Sequence, residues 1–218
     1  MKQRNLFILV GPPGSGKGTQ SELLQKKLNV NYYSVGEILR REVYNKTKLG
    51  KQVAPYLKTG KLAPDELIAK IMFSKLRRSS KSLIFDGYPR SLNQAKLLQN
   101  ELGDLDIRKI IIEINLPVSK IVERIAGRRY CVCGKTYHLK YNPPKRKGFC
   151  DKCGKKLKTR SDADPEVIQE RIRIYKSKTK PIIGFYKSNK DYIYRKVDGD
   201  NSIQQVHLDI MKLISKIK

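Results

Sequence analysis

A glycine-rich segment near the N-terminus has the composition of a phosphate-binding loop. Residues 11–17 match the first seven positions of the pattern G-x-x-x-x-G-K-[ST], and the hydroxyl of Thr19 follows one residue late. Glycines allow backbone N–H groups to point at phosphate oxygens, and a lysine adds a full positive charge. The segment therefore predicts binding of a nucleoside triphosphate by its loop residues, which are Gly14, Ser15, Gly16, Lys17, Gly18 and Thr19.

A second candidate is an acidic residue that follows a short apolar run. Asp86 comes directly after Leu-Ile-Phe at residues 83–85. In proteins with a phosphate-binding loop, an acid at the end of a neighbouring strand holds Mg²⁺, directly or through water. The alternative is that Asp86 only caps the turn Asp-Gly-Tyr-Pro. Its combination with the glycine-rich loop favours a magnesium site.

Arginines occur beside structural breaks or on predicted helix faces in several separate segments. Taken singly, each could be an ordinary surface ion-pair partner. Transfer of a phosphoryl group between two nucleotides, however, gathers many negative charges and requires planar, bidentate donors that stay protonated. The arginines that could converge on such a site are Arg40, Arg90, Arg124, Arg128, Arg160 and Arg171.

All the cysteines lie in one short segment, residues 127–160, together with twelve lysines and arginines and a single acid, Asp151. Two close pairs of thiols in a small insert suit a tetrahedral Zn²⁺ site. Reduced thiols and a disulfide are the alternatives, and His138 would replace a thiol if one cysteine did not bind. The predicted ligands are Cys131, Cys133, Cys150 and Cys153.

Apolar periodicity predicts the elements that position these residues. Short, largely apolar runs at 6–10, 83–85, 110–114 and 192–197 are typical of buried strands. Helices are predicted at 19–28, 64–76 and 91–102, after Asp164 and after Ser202. The alternation predicts an α/β fold with a doubly wound, mostly parallel sheet. Residues 127–160 break the pattern and predict a small, turn-rich inserted domain.

Composition and charge narrow the class of protein. The 218 residues are 39% hydrophobic and carry a formal net charge of +27, which attracts polyanions such as nucleic acids or phosphorylated small molecules. The sequence has no run of about 18 apolar residues, so we expect no transmembrane helix and no membrane partner. The apolar run before Gly11 is too short for a signal peptide. We therefore expect a cytoplasmic protein and, without an exposed apolar repeat, a monomer.

Four segments together resemble the adenylate kinases, the P-loop kinases of nucleoside monophosphates, in their long-lid form. Residues 11–20 (GPPGSGKGTQ) look like the family's own loop, and residues 86–90 (DGYPR) are similar to its second signature. Residues 125–129 (IAGRR) look like the start of the lid, and residues 197–199 (VDG) resemble the segment beside the ATP adenine. The resemblance covers nearly the whole chain.

The resemblance implies a domain organisation and a reaction. A P-loop core would comprise residues 1–33, 65–126 and 161–218, with an inserted helical monophosphate-binding segment at 34–64 and a lid domain at 127–160 that holds the four-cysteine metal site. The implied reaction is reversible phosphoryl transfer, ATP + AMP = 2 ADP. Mg²⁺ would accompany ATP, and a structural Zn²⁺ would lie in the lid. ATP, AMP and ADP would be the partners, without a specific nucleic acid.

The resemblance also implies roles for individual residues. The catalytic set would be Lys17, Arg90, Arg124, Arg160 and Arg171. Beyond the loop, ATP would contact Arg124, Arg128, Tyr137 and Asn201. AMP would contact Val35, Arg40, Lys61, Ala63, Gly87, Arg90, Gln94, Arg160 and Arg171, with Gln94 hydrogen-bonded to its base.

Two positions depart from the family's pattern. Val35 stands where the family usually has a threonine that touches adenine, so a kinase that prefers UMP or CMP is an alternative. The first cysteine pair is Cys-x-Cys, one residue shorter than the usual Cys-x₂-Cys. Two other classes stay open: a nucleic-acid-binding protein that uses the basic, cysteine-rich insert, and a regulatory ATPase without an acceptor.

Overall fold

The structure, a computed structural model that describes residues 3–103, 105–159 and 164–217, is built on a parallel sheet. The five strands are β1 (Arg4–Val10), β2 (Asn31–Ser34), β3 (Leu83–Asp86), β4 (Ile107–Asn115) and β7 (Tyr192–Asp198), in the order β2-β3-β1-β4-β7. Every neighbouring pair in this sheet is parallel. The strand that leads into the glycine-rich loop is therefore central, and its carboxyl end lies between those of β3 and β4.

Helices connect the strands. They are α1 (Lys17–Leu28), α2 (Val35–Tyr44), α3 (Lys48–Thr59), α4 (Asp65–Arg77), α5 (Leu92–Leu102), α6 (Val118–Ala126), α7 (Pro165–Ile174), α8 (Pro181–Ser188) and α9 (Ile203–Ser215), with a π-helical turn at Tyr175–Thr179. Within the described ranges, no helix is both long and apolar enough to cross a membrane. Apolar periodicity did not predict β2, which has only four residues, or the helices α2, α3, α6 and α8. Of these helices, α3 contains Pro55.

Apolar side chains cover both faces of the sheet, as the doubly wound prediction requires. Leu6 and Ile8 of β1 pack on one face, in a core that includes residues of α4 and α5. Phe7 and Leu9 point to the other face, where α1 and α9 pack. This alternation follows from the period of two along a strand. The predicted α/β class with a mostly parallel sheet is confirmed.

Residues 127–159 form a separate small unit between α6 and α7. It contains an antiparallel hairpin of β5 (Arg128–Tyr130) and β6 (Thr136–His138), and Lys158 bridges to Tyr130. Its buried cluster consists of Cys131, Tyr137 and Cys150, with Leu157 packed against them. The unit thus has a very small apolar core of its own.

Candidate active site

The glycine-rich loop leaves β1 at the carboxyl end of the sheet and runs directly into α1. Gly14 and Gly16 have φ values of +86° and +95°, a region that favours glycine. At Gly11 a Cβ atom would lie 2.3 Å from the carbonyl oxygen of Ile114, so close packing on β4 excludes a side chain there. No side chain caps α1. Its first N–H groups are therefore available to an anion.

Lys17 folds back over this loop. Its Nζ donates hydrogen bonds to the carbonyl oxygens of Gly11 at 2.9 Å and Pro12 at 2.8 Å. Burial lowers the pKa of Lys17 to about 7, while the nearby Asp86 carboxylate opposes this shift. Guanidinium groups lower the pKa further, and these belong to Arg90, Arg128 and Arg171. Keeping the Lys17 ammonium group charged in this buried position therefore costs free energy. A bound phosphate would offset that cost.

A cavity of about 400 Å³ lies in front of the loop and brings most of the predicted phosphate-binding residues together. The sequence-predicted residues in its lining are Gly14, Gly16, Lys17, Gly18, Thr19, Arg40, Asp86, Arg90, Arg124, Arg128, Tyr137, Arg171 and Asn201. Five of the six candidate arginines thus face one space. The sixth, Arg160, lies outside the described residues.

A smaller cavity of about 60 Å³ adjoins the first. It shares Lys17, Arg90 and Arg171 with the large cavity and extends between Gly60 and Gly87. These three basic side chains therefore lie between the two cavities. This is the position from which a side chain can reach both partners of a transfer reaction.

Several predicted binding residues lie outside both cavity linings. Ser15, Val35, Ala63 and Gln94 are all buried, whereas Lys61 is exposed. Gln94 lies behind Arg90, and its Oε1 accepts a hydrogen bond from the Arg90 backbone N–H at 2.7 Å. In the conformation the structure shows, the buried side chain of Gln94 therefore supports Arg90 and lines neither cavity.

Asp86 and Arg124 are each held by contacts that the sequence did not suggest. The hydroxyl of Tyr32 donates to Asp86 Oδ2 at 3.2 Å, and burial together with this carboxylate raises the pKa of Tyr32. Arg124 donates to the carbonyl oxygen of Gly199 at 2.7 Å, and its guanidinium lies 5.0 Å from the ring centre of Tyr141. The two hydrogen bonds join segments that lie 54 and 75 residues apart in the sequence.

Arg90 is fixed at three points. Besides the bond to Gln94, its Nε donates to the carbonyl oxygen of Gly87 at 3.0 Å, and its own carbonyl oxygen accepts from Thr179 Oγ1 at 2.9 Å. Thr179 ends the π-helical turn that follows the helix of Arg171. No local sequence pattern indicates this role of Thr179, because 89 residues separate it from Arg90.

The four cysteines form a cluster in the small unit at residues 127–159. Their sulfur atoms all lie within 4.8 Å of one another, with Cys131 and Cys153 3.3 Å apart and Cys133 and Cys150 3.6 Å apart. All are free thiols. Four thiolates at about 2.3 Å from one Zn²⁺ would lie about 3.8 Å apart, so the spacing fits a tetrahedral ion.

Two other residues of this small unit are placed differently from their expected roles. His138 lies outside the cysteine cluster, and its Nδ1 accepts hydrogen bonds from the backbone N–H groups of Lys140 and Tyr141. Tyr137 lines the large cavity, but its hydroxyl lies 3.4 Å from Cys150 Sγ and accepts from the Asp151 N–H at 2.8 Å. The Tyr137 hydroxyl therefore supports the cluster.

Comparison with known proteins decides between the functional classes. A sequence model of adenylate kinases matches residues 9–191. The chain belongs to the adenylate kinase family. It is 43% identical over 213 residues to the adenylate kinase of Thermococcus kodakarensis, covering 97% of this chain and 94% of that protein. It is 39% identical over 215 residues to that of Methanothrix thermoacetophila, covering 97% and 99%.

A third relative gives the same result. The adenylate kinase of Pyrococcus furiosus is 40% identical over 214 residues, covering 97% of this chain and 96% of that protein. The family is one of phosphotransferases, so the predicted enzyme class is confirmed. These matches do not favour the alternative of a kinase specific for UMP or CMP.

Proposed function

We propose that the large cavity and the smaller cavity beside it together bind the phosphates of ATP and AMP, so that this member of the adenylate kinase family transfers a phosphoryl group between them. The observation that carries this assignment is the convergence of five arginines and Lys17 on the two adjoining spaces. Both the donor and the acceptor carry phosphate charge, and planar guanidinium groups bind phosphates bidentately.

The chemistry needs alignment and charge stabilisation more than covalent help. The attacking oxygen of AMP is already ionised, so no general base is required. Lys17 would exchange its two loop carbonyls for phosphate oxygens of ATP. Arg90 and Arg171 line both cavities, and would stabilise the charge on the group in transit. Arg40 would hold the AMP phosphate, and Arg124 and Arg128 those of ATP.

Asp86 fits a magnesium site. It is an acid in the lining of a strongly cationic cavity, and Tyr32 orients it. Mg²⁺ that arrives with ATP neutralises charge on the phosphates. Asp86 would hold water of that ion, since carboxylates are ligands and hydrogen-bond acceptors suited to Mg²⁺.

The two inserted segments would exclude water from the reaction. We place the monophosphate-binding segment at residues 34–64, because β2 ends at Ser34 and α4 begins at Asp65. The lid would span residues 127–160, after the end of α6 at Ala126. Water competes with AMP for the phosphoryl group, so both segments should close before transfer. Arg160 keeps its proposed catalytic role as a prediction from the family resemblance.

The lid would hold a structural Zn²⁺ on its four cysteines. Their sulfur spacing fits the ion, and the lid's apolar cluster is small. A metal can replace a hydrophobic core that a short segment does not form. The shortened Cys131-x-Cys133 pair still brings both sulfur atoms into the cluster.

A comparison of phosphate acceptors tests the function. With ATP and Mg²⁺, we expect the highest kcat/KM for AMP among AMP, GMP, CMP and UMP. A higher value for UMP or CMP would overturn the assignment of the acceptor. The variant Val35→Thr restores one hydroxyl at a buried position, and should raise kcat/KM for AMP about two- to tenfold if that hydroxyl reaches the base.

A further inference from the structure

The side-chain amide of Gln94 is held at both ends. The residue is 2% exposed. Its Oε1 accepts from the Arg90 backbone N–H at 2.7 Å, and its Nε2 donates to Asp65 Oδ1 at 2.7 Å. One N–H of Nε2 and one lone pair of Oε1 remain for another partner, because an amide offers two donors and two acceptor sites.

These two partners determine which way the amide points. A carboxylate only accepts hydrogen bonds, and a backbone N–H only donates them. A 180° flip of the Gln94 amide would place Oε1 against the Asp65 carboxylate and Nε2 against the Arg90 N–H. Both hydrogen bonds would be lost, and like partial charges would meet. The flipped amide is therefore strongly disfavoured.

Asp65 is itself held in place. Its Oδ2 accepts from Ser91 Oγ at 2.7 Å and from Asn93 Nδ2 at 3.2 Å. Ser91 Oγ also caps α5 by accepting from the Gln94 N–H at 3.0 Å. The first turns of α4 and α5 thus fix the carboxylate, and the carboxylate fixes the amide.

We propose that Asp65 is a specificity-determining positioning residue, which makes Gln94 read adenine by fixing the orientation of its amide. This inference rests on the proposed function together with the role that the family resemblance gives Gln94, which is contact with the base of AMP. Adenine presents an acceptor at N1 beside a donor amino group. Hypoxanthine, the base of IMP, has nearly the same shape but presents a donor at N1 beside an acceptor at O6. One amide orientation matches adenine, and the flipped one matches hypoxanthine.

The test compares AMP with IMP as acceptors. In Asp65→Asn the side chain can either accept or donate, so either orientation of Gln94 finds a partner at this end. We expect the ratio of kcat/KM for AMP to kcat/KM for IMP to fall about tenfold or more, since a hydrogen bond to a charged group is lost from the preferred state. The fall in this ratio should come from a higher kcat/KM for IMP.

The matched control is Glu66→Gln, the same change on the next residue. Glu66 accepts from Asn93 rather than from Gln94, so the ratio should stay at its wild-type value. Asp65→Ala gives a second test, because it removes the acceptor without offering another, and the ratio should fall here too. Thermal unfolding of all variants reports whether they fold.

A further variant, Gln94→Ala, separates the two ways in which the idea could fail. If Gln94→Ala lowers the ratio while Asp65→Asn and Asp65→Ala keep it, Gln94 meets the base but Asp65 does not set its orientation. If all three variants keep the wild-type ratio, the placement of Gln94 at the base fails as well. An equal loss of kcat/KM for AMP and IMP in Asp65→Asn would also overturn the proposal.

Discussion

The glycine-rich loop and the proposed lid at residues 127–160 both contribute residues to the lining of the large cavity, but they are stabilised in different ways. The loop is anchored on β1, whose Leu6 and Ile8 are completely buried in the sheet. The lid has only Cys131, Tyr137 and Cys150 in its buried cluster, with Leu157 beside them. The apolar packing of the sheet therefore stabilises the core enough to keep Lys17 buried away from water. The lid has few apolar contacts to stabilise it.

From this difference we expect that residues of the core can be changed to abolish binding without unfolding the core. In the lid, the groups that bind the metal are also the groups that keep the lid folded. Removing a charge from the loop should abolish transfer without unfolding the sheet. Removing a cysteine should unfold the lid without affecting the sheet. The following experiments test that contrast.

The largest effect is expected from Lys17→Met. Loss of the positive charge that would contact the donor phosphates should reduce kcat/KM about 10³-fold or more. The melting temperature should stay the same or rise, because the variant no longer buries an ammonium group. Formation of ADP and thermal unfolding measure the two effects. The control is Lys26→Met, which changes a residue on the exposed side of α1 and should be fully active. If Lys17→Met formed ADP at the wild-type rate, the proposed site would be refuted.

Removal of the lid metal should have the next largest effect. Wild-type protein should contain one zinc per chain, and chelation or Cys150→Ser should lower activity about tenfold or more and expose the lid to proteases. The main unfolding transition of the sheet should change little. Val132→Ser alters an exposed residue between Cys131 and Cys133 and should retain zinc. A metal-free sample with an intact, protease-resistant lid would contradict the prediction.

A smaller effect is expected within the core, from Thr179→Val. This change keeps the shape but removes the hydrogen bond to the Arg90 carbonyl, so KM for AMP should rise about two- to tenfold. Thr179→Ser should restore the wild-type value. Ser177→Ala removes a similar bond in the same turn, to Arg173 O at 2.9 Å, and should leave KM unchanged. Equal effects of the Val and Ser variants at Thr179 would refute this positioning role.

The last effect is on stability rather than on activity and concerns pH. Burial lowers the pKa of Lys17 from its ordinary value of 10.5, which we take for the unfolded chain, to about 7 in the folded protein. Between these values the unfolded chain binds this proton more tightly, so Lys17 makes the free energy of unfolding rise with pH. Lys17→Met lacks this contribution. Urea unfolding from pH 7 to pH 10 should therefore show the stability advantage of Lys17→Met shrinking, and a constant gap would count against the shift.

The sequence predicted most of the fold and part of the site. The glycine-rich turn after β1, the four predicted strands and the helices that begin after Ser91 and Ser202 were confirmed, because each depends on neighbours in the chain. Both serines accept a hydrogen bond from the backbone N–H three residues later. The clustering of the cysteines was also confirmed. The monomeric state, the cytoplasmic location and the bound zinc stay predictions.

Other features depend on contacts between distant segments. Asp65 and Gln94 are 29 residues apart, and Thr179 and Arg90 are 89 residues apart. No local pattern shows that such side chains meet, because the strand order and the packing of α4, α5 and the π-helical turn bring them together. The sequence by itself determined which groups could bind phosphate. Only the tertiary structure decided that five arginines face one cavity and which end of the Gln94 amide Asp65 holds.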